Sequence, residues 1–207
     1  MTSIIGALHG KLVFDRRTHV LARRLANLLP PDAKVLDVGC GDGLIDSLIA
    51  DARPDLEIQG IDVLVRPRPH IPVTPFYGSV IPYPDDSFDA VMFVDVLHHT
   101  DDPSVLLKEA KRVARRLVVL KDHTMDGILA HTTLRLMDWV GNAHHGVVLP
   151  YNYWPQDRWH VACHELDMAI LHWESDLHLY PYPASLIFGR SLHFVASLDA
   201  TQTQSVT

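Results

Sequence analysis

Cysteine is nearly absent from this 207-residue sequence, which has only Cys40 and Cys163. Two thiols so placed make no disulfide framework, which fits a reducing compartment and a cytoplasmic location. Basic charge is in deficit, with 18 Lys plus Arg against 25 Asp plus Glu and a formal charge of −7. Broad electrostatic binding of nucleic acid is therefore not expected. The basic runs 16–24 and 111–116 fall on expected helices and read as solvated faces. Long hydrophobic runs are also missing. The longest uncharged stretch, "WVGNAHHGVVLPYNYWPQ" (139–156), contains His, Asn and Pro and is no membrane span. Nothing in "MTSIIGALHG" resembles a secretory signal.

What remains is an ordinary apolar fraction of 47%, enough for one sizeable core. The expected organisation is a single domain over 1–200 and a flexible tail over 201–207. Hydrophobic spacing predicts a helix at 11–29, stopped by Pro30 and Pro31, then a strand at 34–39 and a helix at 43–52. Strands follow at 57–62, 88–95 and 117–122, with an extended proline-rich loop at 66–75. Further helices are expected at 101–116, near 127–140 and at 155–167. Two last strands near 169–179 and 187–198 are expected to pair antiparallel across the short "YPYPA". Strands alternating with helices predict an α/β sandwich.

The chemistry concentrates after the first strand. "VLDVGCGDG" (35–43) sets Gly39, Gly41 and Gly43 at alternate positions, where a backbone can approach a ligand at the carboxyl end of a strand. The dinucleotide fingerprint needs a glycine where this chain has Leu44. Asp37 and Asp42 also suit a positively charged ligand better than a pyrophosphate. Asp62 ends the second strand, where a carboxylate can accept from both hydroxyls of a ribose.

Together "VLDVGCGDG", "GID" (60–62) and "IPYPDDSFDAVMFVDVLHHTDDP" (81–103) resemble the successive motifs of class I S-adenosylmethionine-dependent methyltransferases. The similarity is to their small-molecule branch of the methyltransferase type 11 kind, and it covers residues 35 to about 122. It implies a Rossmann-like sheet of seven strands, mostly parallel, in the order 3-2-1-4-5-7-6. It also implies S-adenosyl-L-methionine as cofactor and methyl transfer to a small-molecule acceptor. By the resemblance, Asp37, Gly39, Cys40 and Gly41 lie along the methionine part, and Asp62 and Val63 lie at the ribose. Ser79 and Val80 flank the adenine, with Ser79 where the family commonly has Asp, and Val94 and Asp95 sit beside the methionine amino group.

"LHHT" (97–100) follows the fourth strand, so His98 and His99 are expected at the mouth of the pocket. Either is a candidate base for a hydroxyl or carbon acid, or a residue that only holds the loop. His123 ends the fifth strand on the same rim. Tyr151, Asn152 and Tyr153 belong to an uncharged segment, 142–155, that suits a lid or wall for the acceptor. His160 and His164 lie four apart on one helix, but no third ligand is identifiable and no metal is expected. A nicotinamide oxidoreductase and a non-catalytic S-adenosylmethionine-binding subunit are the rival readings. The oligomeric state is not legible.

Overall fold

The computed structural model describes residues 4–127, 129–135, 150–182, 185–189 and 191–201. Its first helix, α1 (Ile4–Leu28), begins earlier than hydrophobic spacing suggests and stops before Pro30 and Pro31. Leu21, Ala22, Leu25 and Ala26 form its buried stripe. Strand β1 (Lys34–Val38), helix α2 (Leu44–Ala52) and strand β2 (Glu57–Asp62) come next, as their sequence patterns predict.

The proline-rich loop ends in a short strand, β3 (Val73–Pro75), which runs parallel to β2 at the sheet edge. An edge strand tolerates proline because it has no ladder bond to lose on its outer side. Next come β4 (Phe88–Val94), a 3₁₀ turn (Leu97–His99), α3 (Pro103–Val113) and β5 (Ala114–His123). Helix α3 opens as its sequence indicates, with Pro103 in the first turn and the Asp102 carboxylate accepting from Ser104 N–H at 2.9 Å. It ends earlier than periodicity alone implies, because Ala114 already pairs with Phe88 of β4.

Residues 130–135 are helical within the span 127–140 that the pattern predicts; Gly127 and Leu129 precede the helix at positive φ, and 128 and 136–140 lie outside the described residues. The chain closes with α4 (Gln156–Glu165), β6 (Ile170–Glu174), α5 (Ser185–Phe188) and β7 (His193–Asp199). The last two strands do pair antiparallel, but not across a tight hairpin. The chain after β6 buries Leu177 and Leu179 in the cluster that also holds Leu21 and Val195. The hydrophobic gain from those leucines explains the long connection.

The sheet has the order β3-β2-β1-β4-β5-β7-β6, parallel except for β7. One face is covered by α1 and α2, the other by α3 and α4, so central strands such as "FDAVMFV" read as apolar runs. No described helix is long and apolar enough to cross a membrane. Two registers gather charged and imidazole side chains at one rim of the sheet. Val94 sits beside Lys121, and His123 sits beside His193, because antiparallel β7 begins at the edge where β4 and β5 end.

Candidate functional site

The turn after β1 is built on glycines with positive φ, +79° at Gly39 and +62° at Gly41. A Cβ on Gly39 would lie 2.6 Å from Val96 Cγ2, so no side chain fits there. Nothing stands within 4 Å of a Cβ on Gly41, where the backbone angle sets the need. Asp62 fastens this turn. Its Oδ2 accepts from Gly41 N–H and its Oδ1 from Leu64 N–H, both at 2.8 Å. Each carboxylate oxygen has two lone pairs, so one on each remains for a ligand hydroxyl.

Two cavities meet at Gly39. The larger, about 620 Å³, is lined by Asp62, Val63, Ser79, Asp95 and His99 among others. The smaller, about 120 Å³, is lined by Asp37, Cys40, Asp46, Val94 and Arg17 among others. Of the expected cofactor residues, only Gly41 and Val80 line neither cavity. Gly41 is tied to Asp62, and Val80 is 64% exposed at the surface.

The two histidines of "LHHT" part company. His99 is half-buried and lines the larger cavity. His98 is 1% exposed and turns inward, where its Nδ1 lies 2.6 Å from Asp122 Oδ1. A carboxylate only accepts, so Nδ1 carries the proton and donates it. Asp122 also accepts from Leu97 N–H at 3.0 Å and His123 N–H at 2.8 Å. Burial pushes its carboxyl up, but His98 and His123 outweigh that and hold it below the usual range. The His98 and His99 rings lie 3.8 Å apart, centroid to centroid. The expectation that both stand at the mouth is corrected to one wall residue and one buried residue behind it. The 3₁₀ turn causes this, since it sends adjacent side chains in different directions.

His123 is 4% exposed and lines neither cavity, so the structure does not bring it to a ligand. Burial, and then the charge of Lys121, pull it down to about 4, so it is neutral near pH 7. Its neighbour Asp95, at φ +59°, binds both Arg17 and Lys121. Burial alone would raise Asp95, but these two cations hold it well below the carboxylate range. Lys121 is fully buried, with Nζ 3.3 Å from His193 Nδ1. Arg17, Asp46, Lys121 and His193 are absent from the site read off the sequence. Two of them carry a signal in hindsight: a lone lysine in the apolar run "LVVLKD" and a lone acid in "LIDSLIA".

The segment expected as a lid is only partly placed, since residues 142–149 lie outside the described residues. Its remaining part straps the histidine turn. Asn152 donates its backbone N–H to His98 O at 2.8 Å and its Nδ2 to Thr100 O and Asp101 O at 3.2 and 2.9 Å. Tyr153, 5% exposed, stacks on His98 at 5.4 Å, and Tyr151 lies 6.4 Å from Tyr153. None of the three lines the larger cavity, which Pro150 does.

His98, Asp122 and His123 have ligand atoms close enough to surround a cation. The 2.6 Å contact is a hydrogen bond's, however, and Lys121 already supplies positive charge next to them. His160 sits edge-on to Trp173 at 4.9 Å, and Cys163 on the same helix is buried.

The residues present fit a nucleoside carrying an amino-acid tail. Asp62 offers its free lone pairs beside the glycine turn. Asp37 Oδ1 and both Asp46 oxygens are buried without a hydrogen-bond partner, which suits an ammonium group at the far end.

Residues 13–173 match the family model described as a Methyltransferase domain. The chain is 31% identical over 116 residues to 27-O-demethylrifamycin SV methyltransferase of Amycolatopsis mediterranei, covering 49% of this chain and 42% of that protein. It is 29% identical over 89 residues to the mitochondrial ubiquinone biosynthesis O-methyltransferase of Saccharomyces cerevisiae, covering 38% and 28%. The chain thus spans less than half the length of these curated relatives. In fold it is similar to a chain of the complex between the Haloferax volcanii Trm112 methyltransferase activator and a methyltransferase. The TM-score is 0.70, at 16% identity over 93% of both chains.

Proposed function

Because the chain belongs to the Methyltransferase domain family, we propose that it moves a methyl group from S-adenosylmethionine to a hydroxyl oxygen of a small molecule. The observation that carries this reading is His99, an imidazole in the wall of the cavity that Gly39 and Asp62 shape. Behind it stands a second imidazole fixed by a buried carboxylate.

S-adenosylmethionine supplies a methyl carbon on a sulfonium, which departs as a neutral thioether. The chain's own residues hold, align and take a proton. Asp62 accepts from the ribose hydroxyls, Val63 and Ser79 flank the base, and Asp37 faces the amino group. His99 accepts the proton that the acceptor hydroxyl loses as its oxygen bonds to the methyl carbon. Asp122 and His98 act through His99 as positioning residues, keeping the turn that carries it in place. Asn152 does the same from the other side. The cavity walls contribute alignment and exclusion of water, which a displacement of this kind chiefly needs.

The relatives named for O-methylation support oxygen as the receiving atom. The nicotinamide alternative fits poorly, because the smaller cavity is lined by Asp37, Asp42 and Asp46, where a pyrophosphate would meet carboxylates.

Titration calorimetry and labelling test the reading together. S-adenosylhomocysteine, the demethylated product, should bind and NAD should not. An extract of the host, incubated with the protein and methyl-labelled S-adenosylmethionine, should yield a labelled small molecule. Binding of NAD without S-adenosylhomocysteine would overturn the proposal. Binding without any labelled product would leave the non-catalytic reading in its place.

A further inference from the structure

Two carboxyls face one another behind the glycine turn, and the cofactor reading uses only one of them. Asp37 lies near the end of β1 and Asp46 in the first turn of α2, each 1% exposed. Three of their four oxygens have no hydrogen-bond partner. Both residues line the smaller cavity, whose volume of about 120 Å³ suits the head of an amino acid. Two buried carboxylates side by side repel each other, so in the free protein one keeps a proton for the other to accept.

We propose that Asp46 and Asp37 form one ammonium receptor, which holds a shared proton in the free protein and releases it when the α-amino end of the ligand enters. This rests on the reading of S-adenosylmethionine as the cofactor. The three N–H bonds of an ammonium supply the donors that the three oxygens lack. No covalent bond changes; one proton passes to the buffer, and a charge of +1 replaces it beside two carboxylates.

Burial, above all, raises both carboxyls out of their usual range, and for Asp37 the nearby charges of Asp46 and Asp62 add to it. Other titratable groups face the pair from each neighbouring element. From the turn come Asp42 and Cys40, whose thiol burial pushes up and keeps protonated. From β2 comes Asp62, already accepting two backbone N–H groups. From α1 comes Arg17, engaged by Asp95. No histidine lines this cavity among the described residues.

With both carboxyls raised, the pair is protonated at low pH in the free protein and ionised in the complex. Affinity should therefore fall as pH drops through the free pair's range, approaching tenfold per pH unit for one linked proton.

Calorimetry of the whole chain with S-adenosylhomocysteine, in buffers of different ionisation enthalpy from about pH 5 to about pH 8, reads the proton count directly. On the acid side it should approach one proton released per ligand. 5′-Methylthioadenosine, which lacks the amino-acid end, should release none. Asp46→Asn gives Asp37 a permanent amide donor that favours its ionised form, so release and the pH slope should both shrink. The wild-type count stands even if that variant fails to fold. Binding of S-adenosylhomocysteine with no proton released at any pH, or equal release with methylthioadenosine, would overturn the receptor alone. No binding at any pH would overturn the cofactor reading and the receptor with it.

Discussion

His98 Nδ1 meets Asp122 Oδ1 at 2.6 Å, with both side chains out of water. The same carboxylate accepts from the backbone of Leu97 and His123, so one side chain joins the ends of β4 and β5. Asp122→Asn keeps the shape but removes the charge and one acceptor. Turnover should drop at least about tenfold, while affinity for S-adenosylhomocysteine should stay within about twofold. Steady-state kinetics beside calorimetry will separate the two. Equal loss of both would mean that Asp122 serves the cofactor site.

His98 and His99 should respond differently to the same substitution. His99→Asn removes the proposed base and should lower turnover on the order of a hundredfold, with the melting temperature little changed. The acid limb of the wild-type rate profile should disappear with it. His98→Asn should chiefly lower the melting temperature, because it breaks a buried pair with an ionised partner. Full turnover in His99→Asn would remove general-base catalysis by this turn.

Asp62→Ala should lower both affinity and stability. On the sequence alone, a ribose-binding acid at a pocket rim is removable without harm to the fold. In the structure the same carboxylate holds Gly41 N–H and Leu64 N–H. Hydrogen bonds to a charged group contribute about 1.5–3 kcal/mol each. Affinity for S-adenosylhomocysteine should fall at least about tenfold, with a lower melting temperature. A fall in affinity with an unmoved melt would show that the turn stands without this carboxylate.

Gly39→Ala should abolish cofactor binding, because its Cβ would meet Val96 Cγ2 at 2.6 Å. Val96→Ala in the same chain removes the clash but leaves φ at +79°, so binding should recover only in part. Calorimetry of the single and double variants checks this; full binding by Gly39→Ala would contradict the close approach.

The pH dependence of folding follows from His123. Its folded value, pulled down to about 4 from an ordinary 6.5 by burial and Lys121, is depressed. A base so shifted is neutral in the fold and charges more readily when unfolded. Its contribution to stability is complete above about pH 6.5 and is lost as pH falls from there toward about pH 4. His193 is lowered by the same causes and acts in the same direction. This cause lowers the melting temperature below that range, and His123→Gln should shallow the decline. An unchanged decline in that variant would assign it to other groups.

The fold was legible because its signals are local. Apolar runs mark β1, β4 and β5, Pro103 marks the start of α3, and the glycine spacing marks the turn. The strand order was legible only through the family resemblance. Strand β3 was hidden because an edge of three residues with a proline carries no periodicity. The charged interior of the site was hidden for another reason. Arg17 reaches Asp95 from a helix seventy-eight positions away, and His193 meets Lys121 only through the antiparallel register of β7. In the sequence Arg17 belongs to a basic run that reads as a solvated face. His98 and His99 look equivalent in "LHHT", and only the backbone turn separates their roles.

Where the methyl group goes is the most direct test of O-methylation with His99 as base. Purified protein, S-adenosylmethionine carrying a ¹³C methyl, and the host extract give a product whose labelled carbon is read by its chemical shift. A methoxy carbon is predicted, formed by the wild type and strongly diminished with His99→Asn. A label on nitrogen or carbon, or a methoxy product formed equally by His99→Asn, would contradict it.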